Sequence, residues 1–477
     1  MKITNFGGNV QFEPKHWYAP KNEREVLDIL NRHAHGKIRV MASGHAWSDI
    51  AKSQDVTIDM QNISQVEVER KENGEVWARA GAGCVLQRLL DTIHAMSDYT
   101  LPTMGGIKKQ TIAGVISTGT HGSGRPSLSH YMQEIRVAAY DETGKAKIYT
   151  YTQGDELRAA RCGLGCMGVI LSVKFQCVPK YYVAQSLEYR GSLEQILAEK
   201  EQYELQQFIL VPYCWRWYVY TRRVSAGPPT GVDWLFAHWI RIYSLFGTDI
   251  LLHLVLKTVV IVSFAEKGMI GPIRWFFGAF VPKIIERRKT ANDFHEEALT
   301  LRHDLFGHLE MELFVPERTM QKAMEAARHV TAVFAGTEEE PPPGVKEELQ
   351  RIGKLDELMR RKGFFTHHYP LYCRQVKLDD TLVSMTAGAK EWYFSLSFFT
   401  YLAPGKRERF YEFSKFMASC LVQLYEARLH WGKYFPLQYE DIKHLYPRLG
   451  DFRAICQKSD PHGVFRNEYT TKVLGFP

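Results

Sequence analysis

Residues 38–49 read IRVMASGHAWSD. Ile38 to Met41 is a short apolar run that ends in Ser43-Gly44, so the segment from His45 to Asp49 is a loop at a strand end. Glycine tolerates positive φ and lets a ligand approach the backbone closely, and successive free N–H groups form a nest for an anion such as a pyrophosphate. A second stretch of the same texture, TMGGIKKQTIAGVISTGTHGSG, fills 103–124. Neither is a GxGxxG fingerprint opening a helix, nor a GxxxxGK P-loop, which argues against a nicotinamide or nucleoside-triphosphate site. Each cluster taken alone reads as a set of tight turns; two in one domain raise a phosphate-bearing ligand beside that reading.

Around these stretches, residues 1–180 alternate short strands and helices. Glu23 to His33 has helical spacing of Val26, Leu27 and Leu30, and Cys84 to Ile93 is helical again. Strands are expected at 56–60, 75–81, 133–140, 146–151 and 169–178. From Val183 the texture changes: aromatics become dense, Lys322 to Phe334 is helical, and Gly336 to Gly344 is a polar loop. Tyr369 to Val376 and Trp392 to Tyr401 read as paired strands, and Phe410 to Leu429 as one long amphipathic helix. The expected class is α+β with two domains.

Composition sets the outer bounds. The chain has 477 residues, 45% hydrophobic and 24% charged, which excludes disordered and collagen-like classes. Its 60 Lys plus Arg against 53 Asp plus Glu give +7, mildly basic. Arg287-Arg288-Lys289 and Arg360-Arg361-Lys362 are short runs typical of solvated faces, so no nucleic-acid partner is expected. Eight cysteines are too sparse for a disulfide scaffold, and Cys162 and Cys166 have no nearby His, so no metal is expected. MKITNFGGNVQFEP at the N-terminus has no apolar core of a secretory signal, which makes the cytoplasm the default expectation.

Six segments together resemble a known family. SGHAWSD (43–49) resembles the pyrophosphate loop of the vanillyl-alcohol-oxidase, or PCMH-type, flavoenzymes, and TIAGVISTGTHGSG (111–124) the second flavin segment of the sugar-lactone oxidases. CGLGCMGVILSVKFQC (162–177) resembles the strand that closes that FAD domain. Asn5-Phe-Gly-Gly-Asn9, His430-Trp-Gly-Lys433 and Asp460-Pro-His-Gly-Val-Phe465 resemble the opening NWxGN, the HWGK signature and the closing DPxGxF. The subgroup it is most similar to is the L-gulonolactone and D-arabinono-1,4-lactone oxidases.

The resemblance implies a PCMH-type FAD-binding domain over 1–180, an α+β cap over 181–425, and a C-terminal segment, 426–477, returning to the flavin. It implies FAD held by Ala42, Ser43, Gly44, His45, Ala46, Trp47, Ser48, Gly105, Thr111, Gly114, Ser117, Thr118, His121, Gly122, Gly168, Ile170 and Lys433, with His45 as covalent attachment point. For catalysis it points to Arg374, Lys433, His430 and Tyr372. Arg374 would stabilise developing negative charge, Lys433 act as base or charge, and His430 position groups. The family's Glu-x-Arg becomes Tyr372-Cys-Arg374 here, which puts the substrate in question, since a carboxylate at 372 would bind hydroxyls.

The implied reaction oxidises a secondary alcohol of an aldonolactone or polyol, with hydride going to flavin and O2 or another acceptor reoxidising it. A lipid, sterol or aromatic alcohol is the alternative substrate, and a flavoprotein fold serving as a binding module without turnover is a different class. Residues 234–285 are strongly apolar with recurring Lys and Arg, too interrupted for a spanning helix of ~20 residues. They suit either a buried cap segment or a helix lying in a membrane interface, which adds peripheral membrane contact to the expected partners.

Overall fold

The computed structural model describes residues 1–229, 269–285, 291–300 and 307–476, with isolated positions between 231 and 257. It divides into two compact units: Met1–Lys180 with Lys377–Lys390 and His430–Pro477, and Tyr181–Val376 with Glu391–Leu429. Helices and strands are mixed in both, an α+β architecture.

In the first unit, strands His16–Tyr18, Val56–Asp59 and Ile38–Met41 form a parallel three-stranded sheet with 56–59 central. A five-stranded antiparallel sheet runs in the order 146–151, 132–140, 169–176, 76–81, 66–70. Helix Glu23–Arg32 starts at Asn22, whose side chain accepts from the Glu25 N–H, and buries Val26, Ile29 and Leu30. Helix Leu86–Met96 buries Leu86, Leu89, Leu90 and Ile93, an apolar stripe at helical spacing.

Buried charges knit distant parts of this unit together. Arg39 donates to the carbonyls of Ile50 and Leu164, each at 2.7 Å, and to that of Phe465. Burial lowers its pKa, and the carbonyls replace the water it has lost. Asp460 accepts the N–H groups of Val464 and Phe465 at 2.7 and 2.9 Å, shaping the turn of the closing motif. Asp379 accepts from Ser127 and Thr381, at 2.7 and 2.8 Å, and from Ser384. Asp380 receives Arg158 and Arg161. These bonds join residues 377–390 to the first unit.

The second unit is built on one eight-stranded antiparallel sheet. Its order is 291–294, 182–190, 216–225, 207–211, 371–376, 393–400, 309–316, 428–429. Helices Glu317–Phe334 and Glu408–Tyr425 cover one face, with Phe413 packing against Phe334 and Phe398 at centroid distances of 5.2 and 5.8 Å. Burying each such ring contributes roughly 1.5–3 kcal/mol.

Three expectations need correcting. The helix expected over 410–429 ends at Tyr425, because Glu426 turns left-handed (φ 56°) and Arg428–Leu429 join the sheet. The helix expected from Lys322 begins at Glu317, directly after the strand ending in Pro316. The turns expected around 111–118 are a helix, Ile112–Thr118, capped by Thr111 and ended by left-handed Gly119. Half of the expected membrane-interface stretch, 234–285, lies outside the described residues. Among those that are described, Phe276 and Phe277 are buried, whereas Trp275 is 67% exposed. No helix among the described residues is long and apolar enough to cross a membrane.

Candidate functional site

Three of the sequence segments meet in the first unit. The loop after strand 38–41 is held from beneath by the opening motif. Asn5 Nδ2 donates to the Ala46 carbonyl and Asn9 Nδ2 to that of Trp47, both at 2.8 Å, and the Phe6 N–H to the Gly44 carbonyl at 2.8 Å. The C-terminal motif holds it from the other side: Trp47 N–H donates to the Gly432 carbonyl at 2.8 Å, and Ser48 Oγ to that of Trp431 at 2.7 Å. Trp47 and Ser48 are thereby buried structural members of the loop.

The same clamping leaves donors over. Gly44 has φ +73°, and the N–H groups of Ser43, Gly44 and Ala46 donate to no acceptor among the described residues. That is the nest a pyrophosphate requires. His45 is half-buried; its ring stacks on Phe6 at 5.3 Å and its Nδ1 meets Ser43 Oγ at 3.2 Å.

Helix Ile112–Thr118 lies against this loop. A Cβ on Gly114 would sit 3.0 Å from the Ala42 Cβ, so glycine is what permits the approach. Ile112, Val115 and Ile116 are buried, whereas Ala113, Gly114, Ser117 and Thr118 form the half-exposed face. Gly432 completes the junction, since its Cβ would lie 3.2–3.3 Å from Thr118. Gly105 and Gly122 let 103–105 pack on 120–122: a Cβ at Gly105 would meet Thr120 at 2.6 Å, and one at Gly122 the Met104 carbonyl at 2.5 Å.

His121 and His430 are buried with ring centroids 5.9 Å apart. His430 Nδ1 accepts the Gly432 N–H at 3.0 Å, which places its own proton on Nε2. Lys433 Nζ stands 4.3 Å over the Trp47 ring, a cation–π contact. Gly168, at φ +119°, packs against the Ala138 carbonyl, and Ile170 pairs with Val137 in the five-stranded sheet. Gly168 immediately precedes, and Ile170 lies on, the middle strand of this sheet, Val169–Gln176, which packs against helix Ile112–Thr118.

In the second unit, Tyr372 and Arg374 share the sheet face opposite the two helices. Arg374 is half-buried and makes no ion pair or hydrogen bond among the described residues. Its register partner Ser395 is 1% exposed, and its hydroxyl has no partner either. Tyr372 joins an aromatic cluster: it stacks on Tyr369 at 5.8 Å and meets Phe399 edge-on at 5.8 Å, and Tyr401 and His308 continue the cluster. The same face carries Glu310 and Glu312, both buried. These two glutamates and Ser395 were not among the site residues expected from the sequence; the signal was present as Glu-x-Glu at period two inside the apolar strand LEMELFVP, 309–316.

The residues of the first unit therefore suit FAD. Free N–H donors fit its pyrophosphate, and a glycine-thinned helix face fits a flat ring. The second unit supplies a guanidinium and a hydroxyl that are unpaired among the described residues and can hold an oxygen of a substrate.

Known proteins resemble this chain along nearly its whole length. The family model for D-arabinono-1,4-lactone oxidase matches residues 173–473, and that for an FAD binding domain matches 14–147. A long-chain alcohol oxidase from an uncultured marine euryarchaeote is 36% identical over 98% of this chain and 96% of that protein. The L-gulonolactone oxidase of Mus musculus is 24% identical over 99% of this chain and 98% of its own length. The crystal structure of a cholesterol oxidase from B. sterolicum superposes with a TM-score of 0.69 over 99% of this chain and 96% of that one, at 16% identity, a likeness of fold.

Proposed function

We propose, since this chain belongs to the D-arabinono-1,4-lactone oxidase family and is an FAD-linked oxidoreductase acting on CH–OH groups, that its substrate is a long-chain or otherwise apolar alcohol. The observation that carries the substrate is the surrounding of Tyr372. Where a Glu-x-Arg pattern would present a carboxylate to sugar hydroxyls, the chain presents a phenol packed among Tyr369, Phe399 and Tyr401. A relative 36% identical over nearly the whole chain carries the name long-chain alcohol oxidase, which supports the same reading. The aldonolactone reading is the second one; the family model and the polar groups beside Arg374 favour it.

When bound, FAD supplies the hydride acceptor for the carbinol C–H. The chain's own residues do the rest. The nest at 43–46 and the face at 113–118 bind and orient the cofactor. Arg374 holds the substrate oxygen and stabilises negative charge, which is worth most in a site without competing water. Lys433 provides a positive charge or base, and His430, with its proton on Nε2, acts as a donor. His45 is the proposed covalent attachment point, and O2 the proposed acceptor. Peripheral membrane contact through 234–285 also belongs to this proposal; exposed Leu235, Trp239 and Trp275 support it and would suit recruitment of an apolar substrate.

The test is anaerobic mixing of the FAD-loaded protein with 1-dodecanol and with L-gulono-1,4-lactone, read as bleaching of the long-wavelength flavin band. Bleaching by the alcohol is expected. Bleaching by the lactone and not by the alcohol would overturn the apolar reading in favour of the second.

A further inference from the structure

Strand Leu309–Pro316 is buried along its whole length. Met311, Leu313 and Val315 lie on the side of the sheet that carries the helices; Glu310, Glu312 and Phe314 lie on the other. A carboxylate buried in an apolar strand needs polar partners, and its two oxygens can accept several hydrogen bonds at once, so it can take a substrate hydroxyl as one of them. The register shows where Glu312 stands. It is opposite Ser397, and Ser397 is opposite Tyr372, so the three make one row across three neighbouring strands. The next row is Phe314, Ser395 and Arg374.

Directly opposed side chains are about 5 Å apart at Cβ, so the outer members of each row are separated by about 10 Å. The middle member of both rows is serine, the smallest polar side chain available. The two serines thus form a floor between a wall of Glu312 and Phe314 and a wall of Tyr372 and Arg374. Ser395 adds an independent sign of a ligand: its hydroxyl is buried with no hydrogen-bond partner among the described residues. Arg374, diagonal to Glu312 on this floor, has no carboxylate of its own among the described residues.

We infer that Glu312 supplies the carboxylate that accepts the substrate's hydroxyl hydrogen, two strands from position 372, while Arg374 donates to the same hydroxyl's oxygen. The inference rests on the reading of this face as the substrate surface. An alcohol satisfies both groups, because its oxygen can accept and its hydrogen can be donated. A fatty carboxylate satisfies Arg374 but meets like charge at Glu312, so the arrangement selects alcohol over acid.

The experiment measures equilibrium binding of 1-dodecanol and of dodecanoate to the FAD-loaded protein by calorimetry, with no turnover required. Glu312→Gln keeps the shape and removes the charge. It should weaken dodecanol about tenfold or more, tighten dodecanoate, and leave the thermal midpoint near that of wild type. Adding Tyr372→Glu to Glu312→Gln should restore the preference for dodecanol. An unchanged ratio of the two affinities in Glu312→Gln overturns the inference while leaving the proposed activity standing. If wild type binds a sugar lactone and not dodecanol, the apolar reading fails separately. The same variant is then measured with the lactone, whose hydroxyls present the same donor, and undiminished lactone affinity overturns the role of Glu312. Should Glu312→Gln not fold, Glu312→Asp, which withdraws the charge by one methylene, must still weaken dodecanol; equal affinity overturns the inference.

Discussion

Acidification from about pH 7 to about pH 5 should destabilise the second unit through two adjacent imidazoles, and His367→Phe should remove half of that loss. His367 and His368 immediately precede the strand that carries Tyr372 and Arg374, and both are fully buried. Burial pushes His367 down to about 3 and His368 to about 4, from an ordinary value of 6.5. His367 lies among Phe365, Phe398 and Phe413 at 6.3, 5.8 and 5.9 Å, and neither of its ring nitrogens makes a well-formed hydrogen bond among the described residues. His368 is wired as the neutral form: Nε2 accepts the Tyr401 N–H at 3.3 Å and Nδ1 donates to the Thr366 carbonyl at 3.2 Å. Below 6.5 the unfolded chain takes up protons that the folded chain refuses, so this stability is complete above 6.5 and drains as pH falls toward 4 and 3. Each histidine accounts for about 2 kcal/mol between pH 7 and pH 5, and the pair for about 4 kcal/mol. Phenylalanine at 367 keeps an aromatic ring among aromatic rings and removes two stranded polar atoms, so the variant should be as stable as wild type at neutral pH. Urea unfolding of both proteins at both pH values measures this, with other titrating groups cancelling in the difference. An identical loss in wild type and His367→Phe would refute the reasoning.

Four further outcomes are expected. Arg374→Met and Lys433→Met should each retain flavin yet slow its anaerobic reduction by ~10²–10³ in rapid mixing; near-wild-type rates would remove both from the chemistry. On a denaturing gel, flavin fluorescence should stay with wild type and vanish in His45→Ala, whereas loss of the signal from wild type ends the covalent proposal. Gly114→Val extends a Cβ already placed 3.0 Å from Ala42, so equilibrium dialysis should show FAD affinity reduced about tenfold or more, and unchanged affinity would dissociate this helix from the cofactor. Asp379→Ala strands the hydroxyls of Ser127, Thr381 and Ser384 and should cost about 3 kcal/mol, seen as a melting temperature lower by several degrees; a shift near zero would show that the carboxylate does not anchor 377–390.

What could be read from the chain alone was what one stretch carries within itself. The helix at 23–32, the strands at 38–41, 146–151 and 371–376, and six motifs in fixed order each announce themselves locally, and together they were enough for the family and for FAD. Helix 112–118 escaped because its glycine and β-branched residues have weak helical propensity; it forms where Thr111 caps it and the Ile112 N–H finds the Cys84 carbonyl. Arg39 looked like one more basic residue in a strand until carbonyls from residues 50, 164 and 465 gathered around it. The row of Tyr372, Ser397 and Glu312 was invisible for the same reason. Which face a strand residue occupies follows from its own period of two, but which residues stand opposite it is set by register. Register is chosen by the packing of the whole sheet between strands far apart in the chain, and a slip of one residue would have turned Glu312 toward the helices instead.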